Sequence, residues 1–258
     1  MIRRKALATM SMVGLMAIGG ARSASAVEVD LITNDSGTAN GSVFLRADTH
    51  PSGTGVFEPF LRIDFDKDGF ATGYNSDAAN KDLEFDTKGG VWTHSVLVSS
   101  LATIANPLGN DGTTYVPFEL DVNGSQQDPV ISLDEIRIFL LDEPDLHDFS
   151  SFGAPTYSFD SNEDNWVKFD QSISGSGQGT SDLLALVPTQ FFTGGKYLYF
   201  YSEFTDRFGV HKSGFAEWTA GQGASAPVPE PGSLLLLGSG LAAGARWFRR
   251  NRPKKSQA

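Results

Sequence analysis

Three aspartates in the chain have the spacing with which a calcium loop begins. Asp64, Asp66 and Asp68 alternate with other residues, and Gly69 follows them directly. Alternate carboxylates can converge on a hard cation while the glycine permits a sharp turn. The twelfth position of such a loop, where a bidentate glutamate is expected, holds Asn75. We therefore favour a solvated loop that holds no metal and predict no cofactor, with calcium at Asp64, Asp66 and Asp68 as the alternative.

A second acidic loop, residues 160–165, repeats the alternation of acids without the glycine. Other chemistry has little support, because the chain contains neither a Gly-x-Ser-x-Gly nor a His-Glu-x-x-His motif. The chain has no cysteine, which excludes a thiolate nucleophile and a disulfide framework. Paired carboxylates can hydrolyse glycosides, but the chain has 31 Asp and Glu residues, so the sequence does not single out one pair. We predict no catalytic residues and a protein that is not an enzyme, with a secreted hydrolase as the third alternative.

Aromatic side chains near predicted loops are candidates for ligand binding: Tyr74, Trp166, Phe191, Phe192 and Trp218. An aromatic ring beside carboxylates and amides is a common way to hold a sugar. Aromatics make up 11% of the chain, however, and most of them must fill the core. We therefore favour a core role for these residues and keep a carbohydrate-binding module, with or without calcium, as the second function.

The elements that position these residues are predicted to be strands. Apolar and polar residues alternate most clearly over residues 114–122, and residues 196–204 are apolar on both faces, which predicts a central strand. Weaker alternation occurs at Val43, Leu45 and Ala47, at Trp92, Val96 and Val98, and at Ile136, Ile138 and Leu140. Only residues 181–187 resemble a helix, with Ser181 as its cap. Strands without interleaved helices predict an all-β fold, an antiparallel β-sandwich or jelly roll.

The first 26 residues have the order of a secretory signal peptide. Three cations near the start precede an apolar run over residues 6–21, and small residues follow that run. This order predicts a signal helix and removal after Ala26 by a signal peptidase that recognises Ala24 and Ala26. The run is too short and glycine-bearing to be a good permanent membrane span, which needs roughly 20 residues.

The C-terminal end has the features of a membrane anchor. Residues 234–248 are apolar enough to form a transmembrane helix of marginal length. A basic block follows, including Arg249 and Arg250. Cations beside a span stay in the cytoplasm, so this tail is expected to be cytoplasmic and the body to lie outside the inner membrane.

A proline-flanked tripeptide, Pro229-Glu230-Pro231, stands directly before this apolar segment. Prolines keep the backbone extended, which a protease at the membrane face can grip. Residues 228–250 together resemble the PEP-CTERM sorting signal. The resemblance implies an exosortase as processing enzyme, export through the inner membrane, cleavage near the tripeptide, and a mature protein at the cell surface or outside the cell. Pro229, Glu230, Pro231, Arg249 and Arg250 are the residues expected to act in sorting.

The chain thus divides into a signal peptide (1–26), an extracellular β-sandwich domain (27–220), a linker rich in small residues (221–227) and the sorting signal (228–258). The body also resembles a family of uncharacterised PEP-CTERM proteins, in segments that include Gly73-Tyr74-Asn75, Leu133 to Ile138 and Gly214 to Trp218. That resemblance carries no activity.

The body is strongly acidic. Of the 20 Lys and Arg residues 10 lie between residues 27 and 227, against 30 of the 31 Asp and Glu residues, so its formal charge is −20. Such a surface repels nucleic acid, which binds basic patches. We therefore predict a non-enzymatic surface or biofilm-matrix protein, which meets the inner membrane transiently, can contact exopolysaccharide and binds no nucleic acid.

Overall fold

A computed structural model describes residues 26–47, 58–124, 128–161, 163–173, 181–208 and 214–220. These residues form strands and short turns of 3-10 helix. The strands are β1 (Glu28–Asp30), β2 (Ser36–Ala39), β3 (Ser42–Arg46), β4 (Leu61–Asp64), β5 (Ala71–Tyr74), β6 (Val96–Leu97), β7 (Ile104–Ala105), β8 (Thr114–Gly124), β9 (Val130–Leu141), β10 (Tyr157–Ser158), β11 (Trp166–Asp170), β12 (Leu183–Pro188), β13 (Tyr197–Thr205) and β14 (Gly214–Ala220). The 3-10 turns are Asn80–Asp82, Val98–Ser100, Phe149–Ser151 and Thr189–Phe191.

The strands form two sheets. The first sheet has the order β1-β11-β9-β13-β5, with β10 beside β9 and β6 beside β13. The second sheet has the order β2-β3-β12-β8-β14-β4, with β7 beside β8. Among the described strands every pair is antiparallel except β1 with β11. The predicted all-β, antiparallel-rich fold is confirmed.

One apolar core draws on both sheets. The Phe200 ring of the first sheet lies 4.8 Å, between centroids, from Phe118 and also 4.8 Å from Trp218, both in the second sheet. The Trp218 indole Nε1 donates to Ser202 Oγ at 3.0 Å, which satisfies its buried N–H. The side chains that the sequence assigned to one face of residues 114–122 all enter this core: Val116, Phe118, Leu120 and Val122.

Strand β13 is central and covered on both faces, as predicted. Leu198 and Phe200 enter the core between the sheets, while Tyr199 and Tyr201 join an aromatic cluster on the opposite face. Strand β9, which holds Ile136 and Ile138, is confirmed as well. One face of β13 therefore contributes to the core, and the other face carries part of the site described below.

The helix predicted over residues 181–187 is wrong. Strand β12 occupies Leu183–Pro188 and pairs with β3 on one side and β8 on the other. Both faces of this strand are apolar, and a short uninterrupted apolar run cannot be told from a buried helix by its periodicity.

Two weaker strand predictions need correction. The predicted alternation at Trp92, Val96 and Val98 yields only the two-residue β6, and Trp92 lies outside it and is exposed. Strand β3 is present, but Phe44 enters the main core, whereas Val43 and Leu45 pack in a small separate cluster with Tyr115 and Leu186.

The predicted signal helix, linker and transmembrane helix lie outside the described residues. Within the described ranges, no helix is long and apolar enough to cross a membrane.

Candidate functional site

The face of the first sheet that turns away from the core carries a row of cross-strand neighbours. Arg137 on β9 pairs with Ser158 on β10 and with Tyr201 on β13, and Tyr201 pairs with Tyr74 on β5. The Arg137 guanidinium lies 5.2 Å from the centroid of the Tyr201 ring, within the range of a cation–π contact. We call this surface the outer face.

An aromatic cluster covers one half of the outer face. Phe149, from the segment after β9, stacks on Tyr201 with centroids 4.9 Å apart and on Tyr74 at 5.6 Å. Hydroxyl groups fasten the same segment, because Tyr74 Oη donates to His147 O at 2.6 Å and Tyr199 Oη donates to Glu143 O at 2.8 Å. The loop after β9 is thereby held against the sheet.

Phe85 extends this cluster into solvent. Its ring is 5.4 Å from Phe149 and 6.1 Å from Tyr201, yet the residue is 51% exposed. Its backbone has φ 61°, in the left-handed region that bulky residues rarely adopt. The fold therefore keeps a strained, exposed aromatic ring beside the outer face.

A buried carboxylate occupies the other half of the outer face. Glu135 is 4% exposed and forms an ion pair with Arg137 Nε at 3.0 Å. Its Oε1 also accepts from the backbone N–H of Ile136 at 3.0 Å and from that of Asp160 at 3.2 Å. Burial raises the pKa of Glu135, and Arg137 offsets part of this rise. Burial likewise raises the pKa of Asp160. The second acidic loop of the sequence thus begins at this site.

A cleft of about 600 Å³ joins the two halves. Its lining combines charged groups, hydroxyls and rings, among them Glu135, Arg137, Asp160, Ser158, Phe139 and Phe149. Phe149 belongs both to the cleft and to the aromatic cluster, and its ring contacts that of Phe85, which does not itself line the cleft. Clefts of this size with a few convergent polar groups are typical of ligand sites.

The predicted calcium ligands do not converge in this structure. Asp64 forms ion pairs with Arg62 at 3.3 Å and Lys88 at 3.6 Å. Asp66 Oδ1 accepts from the backbone N–H groups of Asp68 at 2.8 Å and Phe70 at 3.0 Å. The pKa of Asp66 is lowered mainly by the bond from Phe70.

Asp68 in turn pairs with its neighbour Lys67. The described part of the chain contains no group of three or more His, Cys, Asp or Glu residues placed to hold a metal. Calcium at this turn stays a prediction.

Asn75, at the twelfth position of the calcium pattern, has a structural task instead. It is fully buried, and its Oδ1 accepts from Phe200 N at 2.6 Å. Its Nδ2 donates to Leu198 O at 3.0 Å and to His94 O at 3.1 Å. The amide thus continues the pairing of β5 with β13 after β5 has ended and ties both to the chain near His94.

A second charged group lies on the far side of the second sheet. Arg62 on β4 pairs in register with Glu217 on β14, and Glu217 pairs with Asp121 on β8. Burial raises the pKa of Glu217, and Arg62 lowers it in part. Glu217 Oε1 is buried without a hydrogen-bond partner, since Arg62 Nη1 is 3.6 Å away. These residues do not line the cleft of the outer face.

The predicted binding aromatics are mainly core residues, as favoured. Tyr74 and Trp218 are fully buried, and Phe191 and Phe192 are partly buried against the core. Phe191 also lines the cleft of the outer face. Trp166 is half-buried, with the Arg207 guanidinium 4.3 Å from its ring centroid. Phe85, Phe149 and Arg137 were not singled out from the sequence. Their grouping follows from strand register and loop packing, which no local pattern records.

Ala26 of the predicted signal peptide is the first described residue, and Ala24 lies outside the described chain. The predicted sorting residues also lie outside it: Pro229, Glu230, Pro231, Arg249 and Arg250.

Comparison with known proteins addresses the C-terminal end. Residues 227–250 match the PEP-CTERM protein-sorting motif. The chain carries a PEP-CTERM sorting signal. This signal marks an exported protein that exosortase processes and that has a C-terminal, membrane-anchored sorting tail. No curated protein and no solved structure matches the chain.

Proposed function

We propose that this PEP-CTERM protein is a non-enzymatic component of the cell surface or of the extracellular biofilm matrix. The observation that carries the proposal is the sorting motif at residues 227–250, which marks an exported protein and supports a body outside the inner membrane. The acidic surface, at −20 over residues 27–227, suits a soluble extracellular protein. The shared core of the two sheets supports the antiparallel β-sandwich that we propose for the body.

In this proposal a signal peptidase cuts after Ala26, the tail holds the body at the inner membrane, and exosortase cuts near Pro229-Glu230-Pro231. The mature protein is then released or attached outside. Extended proline-flanked backbone suits the protease, and Arg249 and Arg250 keep the end of the tail in the cytoplasm.

Cell fractionation tests this proposal. A variant with Pro229→Ala and Glu230→Ala is expected to accumulate at precursor length in the membrane fraction, while the intact protein yields a shorter extracellular form. Pro253→Ala is the matched control, because that proline lies beyond the matched residues 227–250 and its loss should leave processing unchanged. Full-length protein dissolved in the cytosol with both ends attached would refute the proposal.

Carbohydrate binding is the second candidate function, and the outer face favours it. A cleft that combines the Glu135–Arg137 ion pair with the Phe149 ring offers the polar and apolar groups that sugars need. Pull-down of the mature protein on purified exopolysaccharide, with calcium and with a chelator, tests binding and its calcium dependence. A secreted hydrolase ranks third, and turnover that disappears in a Glu135→Gln variant would favour it over both.

A further inference from the structure

The backbone conformation of Phe85 costs free energy that the packing of its ring does not fully recover. A bulky residue with φ near +60° is strained by roughly 1–3 kcal/mol, and such strain concentrates at functional sites. Phe85 is 51% exposed, so this conformation recovers only part of the apolar burial available to a phenylalanine. The strained backbone presents the ring to solvent beside Phe149, which lines the cleft.

The groups around this ring define the chemistry of that ligand. Phe85 and Phe149 offer ring faces and edges to apolar C–H groups. Beside them, the cleft presents the carboxylate of Asp160 and the hydroxyl of Ser158, and Arg137, whose side chain is 38% exposed, offers guanidinium donors. A pyranose has both parts of this pattern, with C–H groups on its faces and hydroxyls around its edge.

The charges decide which saccharides fit. Among the described residues that line the cleft, Arg137 alone is cationic, and its Nε is already committed to Glu135. An anionic polysaccharide would meet the carboxylates of Glu135 and Asp160 and the −20 field of the body. A neutral chain meets no such repulsion.

We propose that Phe85 and the cleft lined by Glu135, Arg137 and Phe149 form a binding site for an uncharged polysaccharide. This rests on the second candidate function and adds to it the position of the site and the class of glycan. The ring of Phe85 supports one sugar residue of the chain, and the polar groups of the cleft bind the hydroxyls of its neighbours.

Affinity electrophoresis of the mature protein tests the site, with β-glucan, pullulan and galactomannan as neutral probes and alginate as the anionic probe. At least one neutral polysaccharide is expected to retard the protein, equally at about 50 mM and about 500 mM salt, because binding without net charge is not screened. Alginate is expected to cause no retardation.

Phe85→Asn is the decisive variant, since asparagine adopts positive φ more readily than phenylalanine. It removes the ring and keeps the backbone shape, so the relief of strain offsets the lost contacts with Phe149 and Tyr201 and the melting temperature should change little, while the dissociation constant increases about tenfold. Trp92→Ala, which removes a 41% exposed aromatic next to Arg62 of the second sheet, is the control and should bind normally.

Three results would overturn the site: no retardation by any neutral probe, salt-sensitive retardation by alginate, or equal weakening by Phe85→Asn and Trp92→Ala. A lower melting temperature of Phe85→Asn with unchanged binding would also overturn it, because the ring would then be structural. None of these results bears on export, which fractionation tests separately.

Discussion

The buried amide of Asn75 is expected to be among the most sensitive polar positions in the fold. Asn75→Ala leaves the backbone N–H of Phe200 without its acceptor and removes a donor from the carbonyl groups of Leu198 and His94. An orphaned buried donor costs about 1–3 kcal/mol and each lost hydrogen bond about 1 kcal/mol. The sum for one orphaned donor and two lost bonds is about 3–5 kcal/mol, before any entry of water.

Urea unfolding of the mature protein measures this loss. With a slope of about 2 kcal/mol per molar urea, the midpoint should fall by about 1.5–2.5 M. Asn34→Ala is the matched control, because its amide bonds to Asp30 O at an exposed position and its loss should cost at most about 0.5 kcal/mol. Equal midpoints for Asn75→Ala and Asn34→Ala would show that the amide does not join β5 to β13 as described.

Two further predictions concern charge and backbone conformation. Burial raises the pKa of Glu217, so the folded state binds the proton of this carboxyl group more tightly than the unfolded state does. The free energy of unfolding should therefore fall as the pH rises from the ordinary pKa of glutamate through the raised pKa of Glu217. Glu217→Gln should reduce this fall in urea titrations across that range, and identical pH slopes would contradict the assignment. Gly194→Ala should cost about 1 kcal/mol for its φ of +95° alone, because no atom lies within 4 Å of the new Cβ. At Gly195, with φ +61°, a new Cβ would lie 2.5 Å from the Leu140 carbonyl carbon. Gly195→Ala should therefore destabilise the fold by at least about 1 kcal/mol more than Gly194→Ala, as measured by thermal unfolding. Equal destabilisation by the two variants would contradict the clash.

The all-β fold could be predicted because most long strands carry a clear local signal. In β13 tyrosines alternate with leucine and phenylalanine, which marks two covered faces. Strand β12 gave the wrong signal, because a strand between two neighbours with both faces buried loses its polar alternation. The sequence predicted that Trp92 is buried, but the buried residue there is Thr93, whose Oγ1 accepts a hydrogen bond from Arg62 N. Hydrophobicity alone favours the tryptophan over the threonine.

The candidate site could not be predicted, because its parts come from distant segments. Phe85, Glu135, Phe149 and Asp160 share no local spacing. The register of β9 with β10 places Asp160 beside Glu135, and the loop held by the hydroxyls of Tyr74 and Tyr199 places Phe149 at the cleft. The aspartates of the calcium pattern illustrate a further limit of local spacing, although calcium binding itself stays a hypothesis. Asp64, Asp66 and Asp68 have the right spacing, yet nearby backbone N–H groups and cations engage their carboxylates. Spacing records which residues can meet, whereas the competing partners depend on the fold.

The last described strand has a mechanical consequence for a protein tethered by its tail. Strand β14 ends at Ala220, directly before the segment that leads to the sorting signal, and it lies between β8 and β4. A pull on the tail acts along β14, perpendicular to its hydrogen bonds with both neighbours. The hydrogen bonds are then loaded together in shear and do not break one after another. A force on the body while the tail anchors it is therefore resisted by the hydrogen bonds of β14 to both β8 and β4.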